Sequence, residues 1–398
     1  MITPGASLDN SANSALRQLI VAEIKAAGGR ITFARFMELA LYAPELGYYT
    51  SKISLIGARG DYYTAPHLTP LFGQLIARQL IEFWHRLAEP VEFQLVEMGA
   101  GQGLLASDIL SQLYQHEKSL WQALTYLIVE RSETLREAQR RRLEHSGLTA
   151  KVKWCELSEL EPASITGSFI SNELVDAFPI HLIQMVGGQW QEIYVELDGM
   201  GQFTEVSAAL SSPNLFAYFG LVGLAPFGYE EGYRTEINLA ALDWLQAVAR
   251  ALNQGYVLTI DYGYQAVRRY HPLRRAGTLQ TYNGHVAGDN PYLNLGYQDI
   301  TAHVDFTALI KTGENNGLKT EGFTSQALFL AGLGISDTLL ELTTPGSSRK
   351  PDELLAEYNA AQTLINPTKM GNFGVLIQSK NLSSSETQTP LRGLSLII

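Results

Sequence analysis

An α/β fold built on a mostly parallel sheet, with helices on both faces, is predicted by three observations. From Pro90 onward, short apolar runs of strand type alternate with segments that are apolar at helical spacing. The first of these runs ends in a glycine-rich turn, Gly99-Ala-Gly-Gln-Gly103, which opens a helix. Hydrophobic residues make up 46% of the chain and charged residues only 17%, enough to fill a core and too apolar for a disordered chain. At 398 residues the chain has room for two to three domains, or for one large α/β domain carrying insertions.

The elements follow in order. Ser14 to Ala27 places Leu16, Leu19, Ile20 and Ile24 on one helical face and stops at Gly28-Gly29. Ile31 to Ala43 is expected to be a second helix, ended by Pro44. Gly47 to Thr50 and Gly60 to His67 form an aromatic, turn-rich stretch. Its tyrosines either line a lid over a ligand or pack with their hydroxyls on backbone. Leu71 to Leu87 is an amphipathic helix. Strands are then expected at 93–98, 124–129, 151–155, 167–171 and 255–260, with helices at 104–114, 132–145 and 240–252 between them. Two late strands are expected at 318–324 and 372–379.

Two stretches interrupt this rhythm. Residues 187–233 begin as a hairpin, Trp190 to Leu197 and Gly201 to Val206, and residues 264–318 read mostly as loop. Loops this long, dense in aromatic and ionisable residues, are usually functional. The expected division is therefore a helical and lid region over 1–90, a main domain over 91–380 with these two insertions, and a flexible Ser/Thr-rich tail over 381–398.

Charge and composition exclude several classes. The chain has 29 Lys+Arg against 40 Asp+Glu, a net charge of −11, which disfavours nucleic acid as the principal ligand. Arg136, Arg140, Arg141 and Arg142 are interleaved with Glu133, Glu137 and Glu144, and read as a solvated helix face. The single cysteine, Cys155, cannot form an internal disulfide, and no Cys/His cluster suggests a metal. No apolar run approaches the ~20 residues of a membrane span. The first fifteen residues contain Asp9 and no Lys or Arg, unlike a secretory or mitochondrial leader. A cytoplasmic protein is expected, in the mitochondrial matrix only if a transit peptide has been removed.

Two motifs carry chemistry. Glu97 ends the first strand, Gly99, Gly101 and Gly103 form the turn, and Glu130 ends the second strand. Glycines let the backbone approach a ligand, and a carboxylate at Glu130 can take both ribose hydroxyls of a nucleoside. Leu104 stands where a dinucleotide fingerprint wants its third glycine. Glu97 sits badly beside a pyrophosphate but suits a cationic cofactor such as S-adenosyl-L-methionine. The second motif is Asn172-Glu-Leu-Val-Asp176-Ala-Phe-Pro179, at the carboxyl end of a strand, where ligands of open α/β sheets bind. Asn172, Glu173 and Asp176 are the catalytic candidates, with Glu173 or Asp176 orienting a nucleophile. The alternative is a helix entry with acids in its first turn. His303 and Asp305 share one side of an extended segment and either brace the insertion or contact substrate.

Six stretches together resemble the MidA-like family of class I S-adenosylmethionine-dependent methyltransferases. They are Gly60 to His67, Pro70 to Gly73, Val96 to Gly103, Asn172 to Pro179, Ile260 to Tyr264 and Gln298 to Phe306, and the resemblance runs from about residue 15 to residue 380. It implies a Rossmann-like class I fold with a seven-stranded, mostly parallel sheet, an N-terminal helical extension and two insertions. It also implies S-adenosyl-L-methionine as cofactor and an arginine-containing protein as acceptor, a respiratory complex I-type subunit in the mitochondrial members; a homodimer is compatible with it. Tyr62 and His67 join His303 and Asp305 as acceptor-binding candidates. The absent leader suggests a bacterial member. Composition and spacing alone reach a Rossmann-like fold and an adenosine-containing cofactor; methyl transfer and arginine come from the resemblance. The competing readings are a nicotinamide-dependent oxidoreductase and a non-catalytic assembly chaperone on the same fold.

Overall fold

The computed structural model describes residues 10–51, 64–284, 286–343, 350–382 and 389–396. The chain forms two compact units: one of residues up to 62 with 177–241 and 265–305, the other of 63–176, 242–264 and 306–398.

The second unit carries the predicted sheet. Its strands are β1 (Phe93–Met98), β2 (Leu124–Val129), β3 (Val152–Cys155), β4 (Ile165–Asn172), β5 (Leu252–Asp261), β6 (Lys319–Ser325) and β7 (Gly374–Lys380). They lie in the order β6-β7-β5-β4-β1-β2-β3. Only β7 runs antiparallel to its neighbours; the rest of the pairings are parallel. This is the seven-stranded, mostly parallel sheet the sequence implies. Helices cover both faces because successive strand residues point to opposite sides. Phe93 and Leu95 join a core with the helices α1 (Leu71–Arg86) and α2 (Leu104–His116). Met98, out of phase with them, accepts a hydrogen bond on its sulfur from Trp244 Nε1 of the helix Leu239–Ala251, at 3.2 Å.

Register brings the strand ends to one edge. Met98 pairs with Val129 on one side and Ser171 on the other, and Ile260 pairs with Asn172. The residues that follow these strands therefore emerge side by side. The order reverses direction at β1, whose neighbours β2 and β4 lie on opposite sides, so this edge is the topological switch point of the sheet.

The other unit holds an antiparallel sheet in which Gln189–Leu197 pairs with Arg30–Thr32, His181–Val186 and Phe203–Ala208, and His181–Val186 pairs with Arg234–Ile237. Only its hairpin was legible in sequence. Helix Asn10–Ala26 packs Leu16, Ile20 and Ile24 against Phe33, Phe36, Ile193 and Val195. The second helix starts later than expected, at Phe33, because Arg30–Thr32 joins the sheet and Thr32 Oγ1 caps the helix by accepting from Arg35 N at 3.2 Å. The stretch 264–318 is more ordered than expected. It contains strands Gln280–Asn283, Val286–Gly288 and Asp299–Thr301 and ends in helix Phe306–Asn315, which belongs to the second unit. In the tail, where flexibility is expected, Leu391 and Leu394 are buried in the core around α1, so those residues are tied down by apolar contact. No helix among the described residues is long and apolar enough to cross a membrane.

Candidate active site

The glycine turn follows β1 and opens α2. Gly99, Gly101 and Gly103 have φ of +69°, +52° and +75°. At Gly101 a Cβ would meet no protein atom within 4 Å, so its glycine answers to backbone conformation and leaves room above the turn. Glu97, buried on β1, accepts from Tyr126 Oη of β2 at 2.8 Å and forms no ion pair among the described residues. Burial pushes its carboxyl up to about 7; the Tyr126 bond opposes this, and the charges of Glu130 and Asp108 add to it. A buried acid with no protein cation beside it suits a cationic ligand. Asp108 of α2 is likewise raised, to about 6, by burial and against the pull of Arg142.

Glu130 follows β2. Its Oε1 accepts from Ser132 N at 2.9 Å and its Oε2 from Gln139 Nε2 at 3.2 Å. The Arg131 backbone adds a weaker donor to these two, so the carboxylate is held in place at the edge where a nucleoside diol would be met. Burial raises its pKa, opposed chiefly by these two donors. Ser132 also caps α3 (Glu133–His145), accepting from Leu135 N at 3.4 Å. The solvated face expected of α3 is only partly so. Arg140 pairs with Glu133 at 3.1 Å, but Arg136 Nε donates to Glu130 O at 2.7 Å and Arg142 Nε to Gln102 O at 2.9 Å.

Asn172 ends β4, on the other side of β1, and Glu173 follows it. Glu173 has φ of +52°, a left-handed conformation uncommon outside glycine, and its amide donates to Ile260 O at 2.9 Å. Its Oε1 accepts from Asn172 Nδ2 at 3.1 Å and from Ala65 N at 3.3 Å. Residues 175–177 form a short 3-10 turn rather than the start of an α-helix. The acceptor at its entry is Asp261, at the end of β5. Asp261 Oδ2 accepts from the amides of Leu174, Val175 and Asp176 at 3.2, 2.9 and 3.3 Å, and Oδ1 from Tyr262 N at 2.8 Å. Burial, then the charges of Asp176 and Glu173, raise the Asp261 carboxyl well above its usual range. In sequence Asp261 appeared as the end of the fifth strand and inside a family motif, with no role assigned; three of its four partners lie 85 to 87 residues away along the chain. Gln139 carried no sequence signal at all.

His67 belongs to this unit, with Nδ1 at 2.6 Å from Thr64 Oγ1 and a pKa lowered by burial and then by Arg142. Tyr62 lies outside the described residues. His303 and Asp305 belong to the other unit. His303 N donates to Thr278 Oγ1 at 3.1 Å, and its carbonyl accepts from Arg269 Nε at 2.9 Å. Burial, with the charges of Arg269, Arg274 and Arg268, lowers its ring to about 4. Asp305 accepts from Tyr218 Oη at 3.0 Å. Of the tyrosines read as lid or packing, Tyr48 is buried, and Tyr49 Oη donates to a side chain, Asp299 Oδ1 at 2.8 Å, where the packing alternative expected backbone.

A glycine turn, an acid after the next strand and a carboxylate edge at the switch point of a parallel sheet define an α/β protein that binds a nucleoside-bearing cofactor. Residues 75–324, more than half of the chain, match the family described as "Putative S-adenosyl-L-methionine-dependent methyltransferase", and the chain belongs to that family. It is similar to a crystal structure from Burkholderia thailandensis bound to S-adenosyl-homocysteine, with a TM-score of 0.87, 33% identity and coverage of 99% of this chain and 98% of that one. A Drosophila melanogaster protein named "Protein arginine methyltransferase NDUFAF7 homolog, mitochondrial" is 28% identical over 86% of this chain and 80% of its own length. The Homo sapiens protein arginine methyltransferase NDUFAF7, mitochondrial, is 26% identical over 96% and 88%. S-adenosyl-L-methionine is accordingly the cofactor and methyl transfer the reaction class. This sets aside the nicotinamide and chaperone readings. The expectation of a bacterial cytoplasmic protein is also corrected: these curated relatives are named as mitochondrial.

Proposed function

We propose that the chain transfers a methyl group to an arginine nitrogen of a protein, and that the acceptor is a respiratory complex I-type subunit. The observation supporting this reading is the carboxylate edge of Glu173, Asp176 and Asp261, in a chain similar along most of its length to proteins named arginine methyltransferases. Glu97 and the Gly99–Gly103 turn would hold the methionine portion of the cofactor, and Glu130 its ribose. When bound, S-adenosylmethionine supplies an electrophilic methyl on a sulfonium.

A guanidinium is a poor nucleophile because its lone pairs are delocalised and it is charged at neutral pH. Glu173 would accept from two of its N–H groups, hold it in line and localise its charge on those nitrogens. Asn172 steadies the Glu173 carboxylate, and Asp176 is the second acid within reach of the acceptor. His67, on the segment whose Ala65 amide touches Glu173, is assigned to the acceptor side. The test is mass spectrometry of arginines in total protein from a deletion strain and its parent. Loss of methylation at specific arginines supports the reading, and identical methyl-arginine profiles contradict it.

A further inference from the structure

Helix α3 faces both cofactor loops with three residues at a spacing of three: Arg136, Gln139 and Arg142. Each donates into a loop, but Gln139 alone reaches both. Its Nε2 donates to Gly101 O at 2.8 Å and to Glu130 Oε2 at 3.2 Å. Its Oε1 accepts from Trp154 Nε1 of β3 at 2.9 Å, which leaves the amide a single sensible orientation. The side chain is fully buried, and a Cβ at Gly103 would sit 3.3 Å from both its Cα and Cγ. Both ends of the amide and its stem are thus held, and the group it holds in turn is the acid assigned to the ribose.

We infer that Gln139 is the positioning residue of the cofactor site. It locks the Glu130 carboxylate at a set distance and orientation from the Gly101 turn, with Trp154 locking Gln139. The inference rests on the ribose assignment of Glu130. Ser132 N, Gln139 Nε2 and the Arg131 backbone all donate to the Glu130 carboxylate, so its orientation is set before any ligand arrives. Preorganisation of this kind appears as affinity, because less ordering remains for the binding step.

Calorimetric titration of the full-length protein with S-adenosylhomocysteine tests it. Gln139→Met keeps volume and removes all three hydrogen bonds; affinity is expected to fall about tenfold, the scale of a bond to a charged group. Trp154→Phe keeps an aromatic ring and removes the donor to Gln139 Oε1, with an expected loss of about threefold to tenfold. In a Glu130→Ala background both substitutions should cost much less, because the group they position is gone. A merely structural role would give the same loss in either background. If Gln139→Met does not fold, Trp154→Phe alone and combined with Glu130→Ala carry the same comparison. Parent-like affinity in the single variants, or losses that multiply with Glu130→Ala, would overturn the inference. Parent-like affinity in Glu130→Ala itself would overturn the ribose assignment, and this inference with it. Loss in Glu130→Ala beside parent-like Gln139→Met would overturn this inference alone.

Discussion

Glu97 makes both stability and cofactor binding depend on pH. Its carboxyl is raised from 4.5 to about 7, so the folded protein holds a proton that the unfolded chain releases. The stability this contributes is fully present below about pH 4.5 and is lost as pH rises through about 7, on the order of 3 kcal/mol. Denaturation of the unliganded protein by urea at about pH 5 and about pH 8 should show this decline in the parent and a smaller one in Glu97→Gln. A ligand cation favours the ionised carboxylate, so affinity for S-adenosylmethionine should tighten between about pH 5.5 and 7 in the parent and change little in Glu97→Gln. Glu130→Ala should weaken cofactor binding by roughly 1.5–3 kcal/mol, and an analogue lacking both ribose hydroxyls should lose much less. Equal losses for cofactor and analogue would contradict the ribose role. Glu97 and Glu130 were legible because each stands at the end of an apolar run, Glu97 just before the glycine turn. The partners that tune them, Tyr126, Gln139 and Trp154, were not, because ordinary core residues acquire such a role only once β2, β3 and α3 pack together.

The glycine turn and the turn after β4 are the elements that position the chemistry. The first was readable because a local glycine pattern encodes it; for the second, the helix entry weighed as the alternative gives way to a 3-10 turn whose acceptor comes from β5. Asp261→Ala removes the acceptor of four amides and should cost roughly 2–4 kcal/mol of stability, with kcat falling more than cofactor affinity. Asp261→Asn keeps an acceptor oxygen and should recover part of both. A cofactor affinity that falls as far as kcat would place the defect elsewhere. The antiparallel sheet escaped the sequence reading for a related reason. Arg30–Thr32 is three residues long and pairs with Tyr194–Glu196, so no local periodicity announces it. Alternation showed the hairpin at 189–208, whose two strands are neighbours in sequence.

For the whole molecule, the parallel sheet was legible because its strands are buried runs separated by helices. The division into two units was not, because each is assembled from three chain segments. Ligand linkage gives a global test of the cofactor class. A ligand at a hundred times its Kd stabilises the unit that binds it by about 2.7 kcal/mol. S-adenosylhomocysteine should therefore raise the melting transition of the unit holding the glycine turn, and NAD should leave it unmoved. A shift with NAD and none with S-adenosylhomocysteine would contradict the assignment. The net charge of −11 is compatible with drawing in a cationic acceptor but does not choose the catalytic acid. That choice is tested most directly by transfer of labelled methyl to arginine, using extract from a deletion strain as acceptor, with parent protein and Glu173→Gln side by side. The parent is expected to label arginine, and Glu173→Gln to do so about a hundredfold more slowly, roughly 2.7 kcal/mol of transition-state stabilisation, with S-adenosylhomocysteine affinity nearly unchanged. Glu173→Gln labelling arginine at the parent rate, or a parent that labels no arginine, would contradict the account.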